Sequence, residues 1–235
     1  MLFKWPWLAN WGLYGASSYD GKTVAQCFEL VSRVGLEIEG LSQMLQDMIT
    51  TALGETRSLP CTLAGPPKYD SRNDDSDWVC TDEAWSFPLK GLGRGRTTKM
   101  YICFQISLTG DGIAIPGNAE PLLHVYSSNA ACSFDNSDYI GVPLDDERPA
   151  KIINHRLLLW DSEELSNWNE CEWAYSLRLM SLNSRGELKK HVIEPMLALL
   201  GGADVQSALP DSLTALVKYP ELNSFYNDEI KLKLR

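Results

Sequence analysis

Residues 24–52 read VAQCFELVSRVGLEIEGLSQMLQDMITTA. Val24, Val31, Ile38, Leu45 and Ala52 fall seven residues apart, and Cys27, Val34, Leu41 and Met48 fall seven apart between them. A 3-4 alternation of apolar residues sustained over about four heptads predicts one long helix with one buried seam. The polar residues Ser32, Arg33, Glu39, Gln43, Gln46 and Asp47 fall away from that seam, while Phe28 and Ile49 widen it on one side, as for a helix that faces a globular core. Asp20 or Thr23 is placed to cap the first turn by accepting its free N–H groups, and Gly54 to end the helix as a C-terminal glycine. Gly35 and Gly40 each cost about 1 kcal/mol relative to alanine, so a close neighbour or a bend is expected there. The glycines and the widened flank favour packing within the chain's own fold, with a homodimer seam as the second reading.

Upstream, MLFKWPWLANWGLYG is apolar but too short to span a bilayer, and Pro6, three tryptophans and a lone Lys4 do not make a secretory leader. Residues 1–19 are read as an aromatic arm, and Trp5, Trp7 and Trp11 as candidate binding residues. Such an arm tucks into the core, sits at a membrane boundary or fills a partner's groove. A membrane anchor normally carries a basic face, which this arm lacks.

Downstream, residues 55–77 hold Pro60, Gly65, Pro66 and Pro67, then Asp70, Asp74, Asp75 and Asp77. They read as a surface excursion, mobile if nothing pins it. From Trp78 the apolar period shifts to two. Residues 78–89 predict an irregular strand, and Lys90 to Arg96 a flexible basic loop. Over 100–108, Met100, Ile102, Phe104, Ile106 and Leu108 alternate with Tyr101, Cys103, Gln105 and Ser107. Further strands are predicted at 121–127, 151–160 and 170–181. In the last, Trp173, Tyr175, Leu177 and Leu179 alternate with Glu172, Ala174, Ser176 and Arg178, which predicts a half-exposed strand in an antiparallel sheet. Ser184 to Glu187 has the S-x-x-E form of a helix capping box, Pro195 is expected to kink or divide the helix that follows, and Gly201-Gly202 to stop it. Asp211 is expected to cap a short helix through Lys218.

The chain has 235 residues, a net charge of −10 and a pI near 4.8. Acidity of this size disfavours a phosphate backbone and suits solubility or a cationic protein partner. Six cysteines with no C-x-x-C pair read as reduced thiols in a cytoplasmic protein, Cys27 on the seam and Cys103 inside a strand.

Chemical motifs are weak. There is no phosphate-binding P-loop, nucleophile elbow, zincin motif or dinucleotide fingerprint. Gly91-x-Gly93-x-Gly95 with Arg94 and Arg96 could admit an anion, yet no helix is expected to follow it, so a hairpin loop is favoured; Arg94 and Arg96 stay as candidate binding residues. His124 and His155 lie on predicted strands and could meet, but a metal site needs carboxylates or thiolates around them. Asp228-Glu229-Ile230-Lys231 holds a Glu-x-Lys in the tail, read as chance. Asn73-x-Asp75-x-Asp77 opens like a calcium loop, but Trp78 stands where the glycine belongs. Trp78, Trp85, Trp160, Trp168 and Trp173 flank predicted strands, with core as the default.

The expectation is a single α+β domain: an antiparallel sheet of about four to six strands packed against the long N-terminal helix and the C-terminal helices. It is expected to bind no metal or cofactor. The leading function is a non-catalytic intracellular binding or regulatory protein acting by protein–protein contact, for example an inhibitor of a basic partner. The alternative is a metal-dependent hydrolase or nuclease whose carboxylates converge from distant loops. Nucleic acid and membrane are disfavoured as partners.

Overall fold

The structure is a computed structural model that describes residues 20–92, 99–109, 120–134, 150–160 and 171–219. The chain divides into two compact units, Met1–Leu45 and Gln46–Arg235, and the first helix, α1 (Gly21–Glu55), belongs to both.

In the first unit, α1 begins at an acidic cap. Asp20 Oδ1 accepts the N–H of Thr23 at 2.7 Å, and that bond holds the Asp20 carboxyl below its ordinary range. Val24, Cys27, Phe28, Val31 and Val34 are all exposed, Phe28 by 60%. Ile38 and Leu41 are half-buried and Leu45 is fully buried. A methyl group added at Gly35 or Gly40 would meet nothing within 4 Å, so no neighbour approaches either glycine.

In the second unit the last turns of α1 bury Met48, Ile49 and Leu53. Gly54 lies inside the helix and does not cap it. The helix runs on to Glu55, Thr56 donates its N–H to Ala52 O at 3.1 Å, and Gly202 is the described glycine with a positive φ.

The strands are β1 (Cys61–Leu63), β2 (Lys68–Asn73), β3 (Cys80–Gly91), β4 (Met100–Ser107), β5 (Leu122–Ser128), β6 (Lys151–Ile153), β7 (Leu157–Trp160) and β8 (Glu172–Arg178). They form one antiparallel sheet in the order β1-β3-β4-β5-β8-β7-β6, with β2 also paired to β3. Eight strands exceed the four to six expected, for two reasons. The excursion at 55–77 supplies β1, too short at three residues to show a period, and β2, whose largely exposed side chains erase the alternating signal. The stretch 151–160 is a hairpin and not one strand. Asn154 and His155 take positive φ values of 52° and 58°, and Arg156 donates its N–H to Ile153 O at 3.0 Å, as in a two-residue primed turn.

Directly paired residues share a face of a sheet. One face carries Phe87, Ile102, Phe104, Ile106, Val125, Tyr175 and Leu177, all fully buried. A helical run lies against it: α2 (Arg185–Leu188), a π-type turn (Lys189–Ile193) and α3 (Glu194–Leu200). Ser184 caps α2 by accepting the N–H of Glu187 at 3.2 Å. Pro195 has no N–H for the carbonyl of His191, and the Tyr175 hydroxyl, 3.0 Å from Val192 O and 3.5 Å from His191 O, donates into this widened turn. Gly201-Gly202 ends α3. Ala203 donates to Ala198 O and Gly202, at φ 81°, to Leu199 O, which is a Schellman stop. The short α4 (Val205–Ala208) follows, capped by Asp204.

The half-exposed reading of β8 does not hold. Glu172, Ala174 and Ser176 are as buried as Trp173, Tyr175 and Leu177. Residues 211–219 form no helix and run alongside β8. Arg178 donates its N–H to Ala215 O at 2.8 Å and Val217 donates to Ser176 O at 2.9 Å, so this segment continues the lane of β7 beside β8. Val217 and Tyr219 pack there with Cys103, Leu122, Tyr126, Leu158, Trp160 and Ala174. Asp211 caps nothing and instead pairs with the buried guanidinium of Arg156 at 2.5 Å.

Candidate functional site

The covered face of the sheet holds a row of polar side chains set by strand register. Gln105 on β4 stands opposite His124 on β5, which stands opposite Ser176 on β8. Asp82 and Ser107 form the next paired position on the same face. All five side chains are at most 2% exposed.

At one end, Asp82 Oδ2 accepts from Arg72 Nη2 at 2.8 Å and Nε at 3.2 Å, while Gln105 Nε2 donates to Asp82 Oδ1 at 3.1 Å. The buried carboxylate is therefore neutralised and bonded through both oxygens. At the other end, His124 Nδ1 lies 2.8 Å from Ser176 Oγ, and Ser176 Oγ lies 2.8 Å from the Tyr219 hydroxyl. Burial pushes the His124 ring down to about 4, opposed by the charge of Asp82, so the ring is neutral at pH 7. Burial also pushes the Tyr219 hydroxyl above its ordinary range, with the Ser176 bond opposing it. Between the two ends, Gln105 Oε1, Ser107 Oγ and His124 Nε2 are buried without a hydrogen-bond partner.

A serine hydroxyl 2.8 Å from a neutral imidazole has the spacing of a nucleophile and its base. Here the geometry serves packing. Ser176 is 2% exposed, and its oxygen is already engaged by both His124 and Tyr219. A nucleophile has to meet a substrate, and this one meets Tyr219 of its own chain.

His124 and His155 do not converge. His155 sits on the exposed β6–β7 turn, where its Nδ1 lies 3.0 Å from Tyr219 O and its own carbonyl accepts the Tyr219 N–H at 2.8 Å. Among the described residues, no three His, Cys, Asp or Glu side chains come together to hold a metal ion. The acidic stretch that opens like a calcium loop closes a hairpin instead. Asp74 Oδ1 accepts the N–H groups of Trp78 and Val79, and Asn73 Nδ2 donates to Asp77 Oδ1 at 2.7 Å. The tryptophans divide: Trp160 and Trp173 are core, Trp85 stacks at a tilt 4.8 Å from Tyr69, and Trp78 is 72% exposed. Cys103 is buried in its strand as expected, and the six cysteines are free thiols. Trp5, Trp7, Trp11, Arg94, Arg96, Trp168 and the tail Glu-x-Lys lie outside the described residues.

The remaining departure from ordinary burial is on α1. Val24, Phe28, Leu30, Val31, Val34 and Leu36 are exposed within thirteen residues of one helix. The charged neighbours Glu29 and Arg33 pair with each other one turn apart. No helix among the described residues is long and apolar enough to cross a membrane. The chain matches no protein-family model, no curated protein and no solved structure.

The polar row was hard to see in the sequence because its members sit at the positions that alternation assigns to water. Gln105, His124 and Ser176 each lie between apolar neighbours. Only the register of three strands aligns them.

Proposed function

We propose that the protein is a non-catalytic binding or regulatory protein that acts by protein–protein contact, and that the first half of α1 is its contact surface. The observation that carries this reading is the exposed apolar stripe of Val24, Phe28, Leu30, Val31 and Val34. Leaving that much apolar area in water forfeits roughly 25 cal/mol for each Å² that a partner would cover. The closed polar row supports the same reading, since its Ser–His pair is turned inward. The net charge of −10 adds that any further partner is better matched by a basic protein surface than by a nucleic acid.

The test is affinity capture with the full chain and with a Val31→Asp/Val34→Asp variant. Both positions are exposed, so the variant folds normally. The expected result is a stoichiometric protein, another copy or a different chain, retained by the wild type and lost by the variant. Equal recovery by both, or none by either, contradicts the proposal.

A further inference from the structure

Resting on that reading, we infer that the occupant of the stripe is a second copy of this chain, paired with it in a parallel two-stranded coiled coil over residues 24–41.

The heptads set the register. Val24, Val31 and Ile38 occupy one core position and Cys27, Val34 and Leu41 the other. In a parallel coiled coil, β-branched residues at the first core position together with a leucine at the second, as in the Ile38–Leu41 layer, favour two strands. On its own fold the helix buries this seam only at its far end: Leu45 and Met48 are buried, Ile38 and Leu41 half-buried, and everything earlier exposed. The unsatisfied part of the seam is therefore the part a partner helix would cover.

Charge narrows the occupant further. No seam residue from Val24 to Leu41 is charged, and Lys22, Glu29, Arg33 and Glu39 all fall outside the seam and its flanks. Glu29 and Arg33 already satisfy each other. A basic partner finds one counter-charge, Glu37, and that at the edge of the stripe. An identical helix finds Val against Val, Cys against Cys and Ile against Ile, layer by layer. The flanking positions of the exposed part, Phe28 and Gly35 on one side and Leu30 and Glu37 on the other, bring no like charges together in a parallel pair. Gly35 is open, with nothing within 4 Å of an added methyl, so Leu30 of a second copy fits beside it.

The helix is also ready to pair. It is continuous with the turns anchored by Met48, Ile49 and Leu53, so pairing need not nucleate a free helix.

The experiment is sedimentation equilibrium of the full reduced chain at micromolar concentration, followed by mild copper-catalysed air oxidation. Cys80 is replaced by Ser, because it is the other exposed thiol among the described residues. The wild-type seam is expected to give twice the mass of the 26.3 kDa chain, and Val31→Asp/Val34→Asp to weaken association by at least about 100-fold. Oxidation is expected to link Cys27 to Cys27 in a covalent dimer that Cys27→Ser abolishes. A monomeric wild type overturns the inference, and so does a dimer that Cys27 cannot link or that the double Asp variant leaves intact. If the wild type is monomeric but a different protein is still captured through the stripe, the second copy falls and the proposed contact surface stands. If capture also ignores the stripe, both fall.

Discussion

The first half of α1 and the covered face of the sheet break the usual burial rule in opposite directions. From Val24 to Leu36 the helix leaves apolar side chains in water, whereas the sheet keeps Asp82, Gln105, His124 and Ser176 out of it. The sheet answers most of its exception internally: Asp82 is bonded through both oxygens, and His124, Ser176 and Tyr219 bond in sequence, while Gln105 Oε1, Ser107 Oγ and His124 Nε2 find no partner among the described residues. Among the described residues the exposed half of the helix has no such answer: Glu29 and Arg33 pair with each other, and the apolar residues around them remain exposed. An exception that the fold completes is architecture. One that it leaves open points outward, to a partner.

The sharpest way to break this comparison is to truncate the same seam in its two halves. Leu45→Ala or Ile49→Ala, in the buried half, is expected to cost about 2–5 kcal/mol in urea-induced unfolding. Val24→Ala, in the exposed half, is expected to change the stability of the dilute chain by less than about 0.5 kcal/mol. Similar losses at both ends would mean that the whole seam is buried in the chain's own fold.

The next effect is on the sheet and depends on pH. The buried native state favours neutral His124, pushing the ring from 6.5 down to about 4, so the unfolded chain binds this proton more readily. The stability due to the neutral ring is complete above pH 6.5 and drains away as pH falls toward 4, by about 3 kcal/mol in all. Urea titrations across that range are expected to show the loss in the wild type and a flatter profile in His124→Gln. Parallel profiles would show that His124 is not held neutral by burial.

The smallest expected effect concerns the glycines of α1. Gly40 and Gly54 are helical and have open space where a methyl would sit. Gly40→Ala and Gly54→Ala are each expected to raise stability by about 1 kcal/mol in thermal unfolding. Destabilisation at Gly40 would reveal a close neighbour and sharpen the account of what covers the helix.

Much of the fold was legible because its signals are periodic. The seven-residue repeat gave α1, the two-residue alternation gave β4 and β8, and Ser184, Glu187 and Gly201-Gly202 marked a helix start and stop through local hydrogen bonds. Three features were not legible, each because a distant segment decides it. β1 and β2 exist because β3 offers them an edge, since three residues of β1 show no period and the polar sequence of β2 does not favour a strand. The hairpin turn at Asn154-His155 lies between apolar runs that read as one strand. The extended path of 211–219 is held by the buried Arg156, which donates to Leu209 O and Asp211, and by β8, where a local reading of Asp211 suggested a helix cap. The polar row follows from the register of β3, β4, β5 and β8. The heptads gave the seam but not where along α1 it is exposed, since that depends on where the folded core ends.

Hydrogen exchange of the α1 amides as a function of protein concentration tests the central claim most directly, because it asks whether the exposed half of the helix is covered by association. The prediction is that exchange across residues 24–38 slows as concentration rises, while amides of β4 and β5 keep their rates. Exchange across 24–38 that is the same at every concentration would contradict the claim that a second copy covers this face.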